Sequence, residues 1–276
     1  MSSPTIDVHV HVIPERLARL ARQSDPWFAA CHAGDRRVAG ERELLEHLDS
    51  GGIERAVVMT WPFREPALCA EANDFVAELQ RRHPGRVAGC GIVQPADPGA
   101  EAELRRCRRL DLRGVGELNA DAQGFDLAGD ALGRLAEVSA ELDLPWTVHC
   151  SEPVGHLYPG KGTATPDRLV RFLGRASGLR VIAAHLGGGL PFYAHMPEIR
   201  RLCRTLWFDT AALPFIYRPT ALADFVGLVG AGRLLLGTDF PLLGVTRYRS
   251  MLEAAGLGEE DLRRVTGGNA LDIWSW

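Results

Sequence analysis

Two histidines near the start of the chain have the spacing of a metal-binding pair. The segment 6–11 reads Ile-Asp-Val-His-Val-His, which is typical of a β-strand whose side chains alternate between two faces. His9 and His11 are therefore expected to point the same way, with Asp7 in line with them. Two imidazoles at the end of one strand supply half of the ligands of a four-coordinate metal site. The same pattern also occurs where two histidines are simply hydrogen-bonded core residues.

Three further polar residues directly follow short apolar runs. His149 follows Trp-Thr-Val, His185 follows Val-Ile-Ala-Ala, and Asp239 follows Leu-Leu-Leu-Gly-Thr. Placing such groups where a buried run stops costs free energy unless they are paired or bound. Histidine and carboxylate side chains that converge are ligands that suit Zn²⁺ or a similar divalent ion. With His9 and His11, these residues predict a metal site.

A carboxylate also lies inside an otherwise apolar run. Glu117 stands in the sequence Gly-Val-Gly-Glu-Leu-Asn of residues 114–119, where a solvated surface residue is not expected. Three roles are open for it. It could bridge two metal ions, act as an acid or base beside one ion, or orient a ligand histidine from behind.

Eight β-rich apolar runs alternate with segments of helical spacing, a pattern that indicates βαβ units and a parallel sheet. Eight such units in 276 residues favour a single (β/α)₈ TIM barrel, forming one domain over residues 1–276. An open doubly wound sheet is the alternative, but no Gly-x-Gly-x-x-Gly follows the first run. The predicted strands are 5–10, 53–59, 87–93, 114–118, 146–148, 179–184, 206–208 and 234–236. The longest irregular stretches, 12–40 and 151–165, follow strands and should lie over the C-terminal face of the barrel.

Composition narrows the class of protein. Hydrophobic residues make up 46% of the chain and the formal net charge is -4, so a large core is expected and nucleic acid is not an expected partner. Six cysteines occur without a Cys-x-x-Cys pair, which fits reduced thiols in a cytoplasm. The sequence contains no 18-residue apolar run and no signal-peptide core, so no membrane association is expected.

The ligand pattern as a whole resembles the amidohydrolase superfamily. Aspartate and histidines at the first strand, histidines after strands five and six and an aspartate after strand eight span nearly the whole chain. The fragments His-Leu-Gly-Gly-Gly at 185–189, Gly-Thr-Asp-Phe-Pro at 237–241 and Gly-Asn-Ala at 268–270 are similar to the "amidohydrolase 2" branch of TIM-barrel hydrolases and decarboxylases. This resemblance implies a metal-dependent enzyme.

The same resemblance leaves the number of metal ions open. Members of that branch often hold one ion through the strand-one histidines, the strand-five histidine and the strand-eight aspartate, while the strand-six histidine contacts water or substrate. Glu117 departs from this pattern and is similar to the bridging glutamate of TatD-type metallohydrolases. We therefore expect one or two divalent ions, with Zn²⁺ the first expectation and Mn²⁺ the alternative, held by His9, His11, Glu117, His149, His185 and Asp239.

These ligands predict a hydrolase. The metal would lower the pKa of a bound water molecule, Asp239 would shuttle its proton, and His185 would bind metal or stabilise the developing oxyanion. The expected substrate is a small molecule with a carbon–nitrogen, ester or lactone bond. The alternative is a metal-dependent non-oxidative decarboxylase or related lyase of the same superfamily. A TatD-like phosphoesterase or nuclease is a weaker alternative, and a non-catalytic metal-binding barrel is weaker still.

Two loops supply candidate substrate contacts. His156, Tyr158 and Lys161 lie in a Pro- and Gly-rich segment after His149 and could meet a carboxylate of the substrate; they could equally be solvent-facing tips of a lid. Trp61 and Arg64 follow the second strand and could form a substrate wall or pack between loops. The expected partner is thus a small molecule, with a carboxylate as its suggested anionic group.

Other polar residues have less distinctive positions. Asp209 ends the seventh strand, where it could enter the pocket or cap a turn. His47 and the remaining histidines do not stand at strand ends and are predicted to lie on the surface. The apolar tail 271–276 suggests homodimerisation, with packing on the barrel's own helices as the alternative.

Overall fold

Eight parallel strands form a barrel in the computed structural model, which describes residues 3–33, 38–274 and 276. The predicted (β/α)₈ fold is confirmed. Strand order follows the chain from β1 to β8. The strands are β1 Ile6–His11, β2 Arg55–Met59, β3 Val87–Gly91, β4 Gly114–Leu118, β5 Trp146–Val148, β6 Val181–Ala183, β7 Trp207–Asp209 and β8 Leu234–Leu235.

Backbone hydrogen bonds close the barrel between its last and first strands. Val8 donates its N–H to the carbonyl of Leu236 at 2.9 Å, and Asp239 donates to the carbonyl of His9 at 2.9 Å. Val10 also forms a parallel bridge with Phe240. The chain that follows β8 is therefore fixed directly beside the histidines of β1.

Helices connect the strands and cover the outside of the barrel. The helices are α1 Glu15–Ser24, α2 Pro26–Cys31, α3 Glu41–Gly51, α4 Pro66–Arg82, α5 Ala100–Arg109, α6 Ala120–Gln123, α7 Ala131–Glu141, α8 Pro166–Leu173, α9 Pro197–Cys203, α10 Leu213–Ile216, α11 Ala221–Val229, α12 Thr246–Ala254, α13 Glu259–Arg263 and α14 Asn269–Leu271. Short 3₁₀ segments occupy His185–Tyr193 and Ala231–Arg233, and a π-helical turn occupies Arg264–Gly268. Within the described part of the chain, none of the helices has the length and apolar character needed to traverse a bilayer.

Side-chain alternation in β2 shows how the strands divide the core. Ala56 and Val58 join the apolar cluster that includes residues of α3, whereas Val57 and Met59 join a separate cluster with residues of β1, β3, β6 and β8. Successive residues of a strand point to opposite faces. One set therefore packs under the helices and the other fills the barrel interior.

The stretch after β1 was predicted to be irregular, and this prediction is wrong for much of its length, since it contains α1 and α2. Asp25 begins α2 by accepting hydrogen bonds from the backbone N–H groups of Trp27 at 2.9 Å and Phe28 at 3.1 Å. Pro26 occupies the first helical position, where a missing N–H costs nothing. Residues 34–37 of this predicted stretch lie outside the described residues.

The C-terminal tail seals the N-terminal end of the barrel. Ala270, Ile273 and Trp274 are buried in the cluster that contains Ile6 and Leu235. Arg180 donates a hydrogen bond from Nη1 to the Ile273 carbonyl at 2.6 Å, which fixes the tail against the start of β6. The tail therefore packs on its own barrel, but against strand residues and not on the helices that the sequence alternative named.

Candidate metal centre

The two histidines of β1 present their Nε2 atoms to each other at 3.1 Å. Each ring is oriented from its far side, because His9 Nδ1 donates to Asp209 Oδ2 at 2.9 Å and His11 Nδ1 donates to the Thr60 carbonyl at 3.1 Å. A proton fixed on Nδ1 leaves the Nε2 lone pair available. Two such lone pairs at this distance repel each other unless a proton or a cation lies between them.

Glu117 lies between two pairs of imidazoles. Its Oε2 atom is 3.9 Å from His9 Nε2 and 3.7 Å from His11 Nε2. Its Oε1 atom is 3.0 Å from His149 Nδ1 and 3.1 Å from His185 Nε2. The carboxylate thus contacts the β1 histidines with one oxygen and the histidines after β5 and β6 with the other.

Asp239 completes the cluster beside β1. Its Oδ1 atom is 3.6 Å from Nε2 of both His9 and His11. The backbone of Asp239 is left-handed, with φ at 63°, and His185 has φ at 55°. Non-glycine residues adopt this conformation at a cost, and such residues cluster at functional sites. The backbone is therefore constrained at two of the positions that aim polar side chains into the cluster.

The spacing of these donor atoms fits a divalent metal ion. Among the described residues, two groups have ligand atoms within 4.8 Å of one another: His9 with His11 and Glu117, and Glu117 with His149 and His185. A tetrahedral ion with bonds near 2.1 Å separates its ligands by about 3.4 Å. The observed separations of 3.0 to 3.9 Å bracket that value. Imidazole and carboxylate donors suit both Zn²⁺ and Mn²⁺.

Buried charges set the proton affinities in the cluster. Burial by itself lowers the pKa of His9, but the Asp209 carboxylate outweighs it and the pKa is raised to about 10. Burial likewise lowers the pKa of His185, and Glu117 raises it to about 9. Burial raises the pKa of Glu117, yet His149 and the other imidazoles hold it well below the ordinary value. Without metal, protons therefore supply the positive charge that the carboxylates demand.

Asp209 proves to be a residue that orients the cluster. Its Oδ2 atom holds His9, and its Oδ1 atom accepts the backbone N–H groups of His185 at 2.9 Å and Ala211 at 3.0 Å. The side chain is fully buried. Sequence reasoning left its role open; its position at the end of β7, level with the other polar residues, was the available signal.

Asp7 does not lie in line with the histidines, contrary to the prediction. The register between β1 and β2 shifts between Asp7 and Val10, which changes the side-chain alternation before His9. The Asp7 carboxylate instead accepts hydrogen bonds from His47 Nε2 at 2.9 Å and from Thr238 Oγ1 at 2.6 Å. His47 is consequently buried rather than on the surface, and the prediction for it was wrong.

A pocket of about 630 Å³ opens above this cluster. Its walls include His156, Tyr158 and Trp61, three of the five predicted substrate contacts. The floor is formed by residues of the cluster: His11, Glu117, His149, His185 and Asp239. Aromatic and apolar residues from the segments after β1, β7 and β8 form much of the remaining wall: Trp27, Val38, Phe215, Ile216 and Leu242.

Lys161 and Arg64 are absent from the described residues that line the pocket, so the structure does not bring these two predicted contacts to it. Lys161 forms an ion pair with Glu152, with 3.2 Å between Nζ and Oε1. Arg64 is exposed, and its guanidinium lies near Gly124. Both residues are close in sequence to residues that line the pocket. Their contacts with neighbouring residues hold the charged groups outside the pocket lining.

Comparison with known proteins places the chain in a family. A family model described as Amidohydrolase matches residues 6–276. The chain belongs to this amidohydrolase family. The resemblance seen in the sequence is thereby confirmed, and the family is one of enzymes within the amidohydrolase superfamily.

Curated relatives within that family are decarboxylases. The gamma-resorcylate decarboxylase of Polaromonas sp. is 25% identical over 87% of this chain and 86% of its own length. The gamma-resorcylate decarboxylase of Rhodococcus jostii is 27% identical over 83% of this chain and 86% of its own. The prediction of a hydrolase of carbon–nitrogen or ester bonds is corrected by these relatives, as is the TatD-like phosphoesterase alternative. The ligand types alone did not distinguish the bond that is cleaved.

A solved structure shares the fold. The dihydroxybenzoic acid decarboxylase of Polaromonas sp. superimposes with a TM-score of 0.80 at 20% identity, covering 98% of this chain and 96% of that one. That protein was crystallised with manganese and the inhibitor 2-nitroresorcinol. The expectation of a divalent metal, with Mn²⁺ admitted, agrees with the donor cluster described above.

Proposed function

We propose that this protein is a metal-dependent, non-oxidative decarboxylase of a small aromatic carboxylic acid. The observation that carries the proposal is the likeness, over more than four-fifths of both chains, to decarboxylases that act on gamma-resorcylate. The pocket supports it, because histidine and carboxylate donors form its floor and aromatic side chains form part of its wall. Such a site suits a flat, apolar ring with an acidic group.

In this proposal, His9, His11, Glu117 and Asp239 hold the metal, and His149 and His185 complete the cluster around the second oxygen of Glu117. The bound ion would supply a Lewis acid that holds and polarises the oxygen atoms of the substrate. Glu117 keeps its negative charge because its pKa is far below the ordinary value. Glu117 can therefore bind a divalent cation without first losing a proton.

Decarboxylation breaks the bond between the ring and its carboxylate, releases carbon dioxide and leaves an electron pair on the ring carbon. A proton must then be delivered to that carbon. Asp239 is the candidate proton carrier, since it lines the pocket and its side chain is 16% exposed. His185 lines the same floor and is placed to stabilise the negative charge that develops on the substrate.

The walls of the pocket are suited to an aromatic ring. Trp61 is fixed at its edge, because its Nε1 donates to Asp25 Oδ2 at 2.8 Å. Its ring makes edge-to-face contacts with Phe28 and His32, at centroid separations of 5.0 and 5.1 Å. An aromatic surface held in one orientation offers a stacking partner at low entropic cost.

The test is a decarboxylation assay on protein loaded with Mn²⁺. Purified protein is incubated with 2,6-dihydroxybenzoate and other hydroxybenzoates, and carbon dioxide and the decarboxylated arene are both measured. We expect equal amounts of the two products from at least one acid, with none in a His9→Ala blank. Failure to release carbon dioxide from any acid in the panel, by protein shown to contain metal, would contradict the proposal.

Metal content of the same preparations sharpens the ligand assignment. Elemental analysis of the native protein and of Glu117→Gln counts the ions per chain. A fall from two ions to one in the variant indicates that Glu117 bridges two ions. One ion in both proteins indicates that Glu117 acts as an acid or base or orients the histidines instead.

A further inference from the structure

The loop between β5 and α8 contains a nearly buried ion pair beside the pocket. Glu152 and Lys161 have side chains that are each only 10% exposed, with 3.2 Å between Oε1 and Nζ. Lys161 also donates to the carbonyl of Val154 at 2.7 Å and to that of His156 at 3.1 Å. An ammonium group has three N–H donors, and these three acceptors use all of them. The loop therefore does not offer this cation to an anionic ligand.

Tyr158 is joined to the same carboxylate. Its hydroxyl donates to Glu152 Oε2 at 2.9 Å. An ionised carboxylate can only accept hydrogen bonds, and Glu152 forms an ion pair with Lys161. The single phenolic proton is consequently committed to Glu152, and the Tyr158 oxygen has only its lone pairs left to offer.

The Tyr158 proton stays in place over the physiological range. Burial raises the pKa of the phenol, the Glu152 carboxylate raises it further, and a hydrogen bond with Ser151 lowers it by less. Ser151 Oγ lies 3.1 Å from His149 Nε2. Tyr158 lines the wall of the pocket whose floor includes His149.

We propose that the Tyr158 oxygen is an acceptor-only subsite that recognises a hydrogen-bond donor, such as a hydroxyl or amino group, on the ring of the substrate. Glu152 and Lys161 are positioning residues that fix the direction of the phenolic proton. For this loop the sequence left open a contact with a substrate carboxylate or a solvent-facing lid, whereas in this proposal Tyr158 contacts a hydrogen-bond donor of the substrate. This inference rests on the proposed function in one respect, namely that the ligand is an aromatic ring. It does not require that the protein decarboxylates that ligand.

Ligand binding to the Mn²⁺-loaded protein tests the subsite. Nitroarenes that carry one hydroxyl group at each ring position in turn are compared with their fluoro analogues, which are similar in size but cannot donate. Dissociation constants come from calorimetry, so no catalysis is required. We expect the hydroxyl compound to bind about tenfold more tightly at one ring position, and Tyr158→Phe to reduce that ratio to below twofold.

The matched control is Tyr193→Phe, at an exposed tyrosine outside the described pocket lining, which should leave the ratio unchanged. An undiminished ratio in Tyr158→Phe overturns the subsite, even where the protein decarboxylates its substrate. Conversely, a ratio that depends on Tyr158 supports the subsite even where no acid in the panel is decarboxylated. Failure of the subsite and failure of the proposed function are thereby distinguishable.

Glu152→Gln provides a second variant that does not depend on the folding of the first. An amide can donate to the Tyr158 oxygen, which releases the phenolic proton towards the pocket. We expect Glu152→Gln to lower the ratio of the affinities for the hydroxyl and fluoro compounds severalfold. Lys161→Met leaves the carboxylate in place and should retain more of this ratio. A purely structural role for Glu152 would weaken both members of the pair equally, and that result contradicts the proposal.

Discussion

The two ends of the barrel bury opposite kinds of side chain: ionisable ones at the C-terminal end and apolar ones at the N-terminal end. At the C-terminal end, four ionisable side chains of the cluster and Asp209 are buried together, His11 and Asp239 are only 14% and 16% exposed, and each carboxylate faces an imidazole. At the N-terminal end, the tail residues Ile273 and Trp274 pack against apolar strand residues. Burying charge costs free energy that only a partner or a cation offsets, whereas burying apolar area is favourable by itself. The first end is organised for chemistry and the second for stability.

The largest effect should follow from removing a ligand at the polar end. We expect His9→Ala to lower turnover by roughly 1,000-fold or more, because the polarising ion is lost. The fold should persist, since the neighbouring strand contacts are made by the backbone. Turnover and circular dichroism are measured on the same samples. Full activity in this variant after metal removal would eliminate the site as described.

The reciprocal change is Trp274→Ala at the apolar end. Loss of this fully buried ring should lower the free energy of unfolding by about 3–5 kcal/mol. Metal content per folded molecule should remain that of the native protein, because no donor atom is touched. Denaturant unfolding and elemental analysis check the two statements. A variant that loses its metal while still folded would show that the two ends are coupled.

A smaller effect is expected at the residue behind the ligand. Asp209→Asn keeps the shape of the side chain but removes the charge that His9 Nδ1 faces at 2.9 Å. Replacing such an outer partner typically weakens metal binding by about 10–100-fold. Competition with a chromogenic chelator measures the affinity. The matched change Asp143→Asn, at an exposed carboxylate paired with Arg180, should leave it unchanged.

The smallest effect is a dependence of metal binding on pH. The His9 pKa of the metal-free protein is raised to about 10, so this group carries a proton throughout pH 6–8. A metal that binds Nε2 must displace that proton, and the apparent affinity should therefore rise by about tenfold per pH unit for this group. Calorimetry in buffers of different ionisation enthalpy counts the protons released. Binding that does not vary with pH would place His9 outside the ligand set.

Patterns that depend on local position were readable in the sequence. The strands were found because short apolar runs recur, and His149, His185 and Asp239 were selected because each follows such a run. Asp7 was misplaced because a register shift within β1 is not encoded in simple alternation. The helix α2 was missed, although Asp25 followed by Pro26 is a recognisable helix start.

Features that depend on long-range pairing were not readable. The ion pair that turns Lys161 away from the pocket and the contact that buries His47 both require knowledge of the tertiary neighbours. The ligand pattern also predicted the wrong reaction, because the same ligands can polarise either an electrophilic carbonyl or an aryl carboxylate. The metal ligands indicate which groups carry out catalysis, whereas the pocket walls and the relatives indicate the proposed class of substrate.

The tail beneath the barrel has a consequence for how the protein is made. β1 is synthesised before its partner at the closure of the barrel, so it is paired on that side only after the segment around Leu236 has been made, and the tail residues Ile273 and Trp274 pack against its N-terminal end. These contacts join residues more than 220 positions apart, so the loop that must close is nearly the whole chain. A nascent chain that ends before β8 therefore exposes an unpaired strand edge. Exposed edges of this kind pair with other chains, so aggregation is expected to compete with folding until β8 has been synthesised.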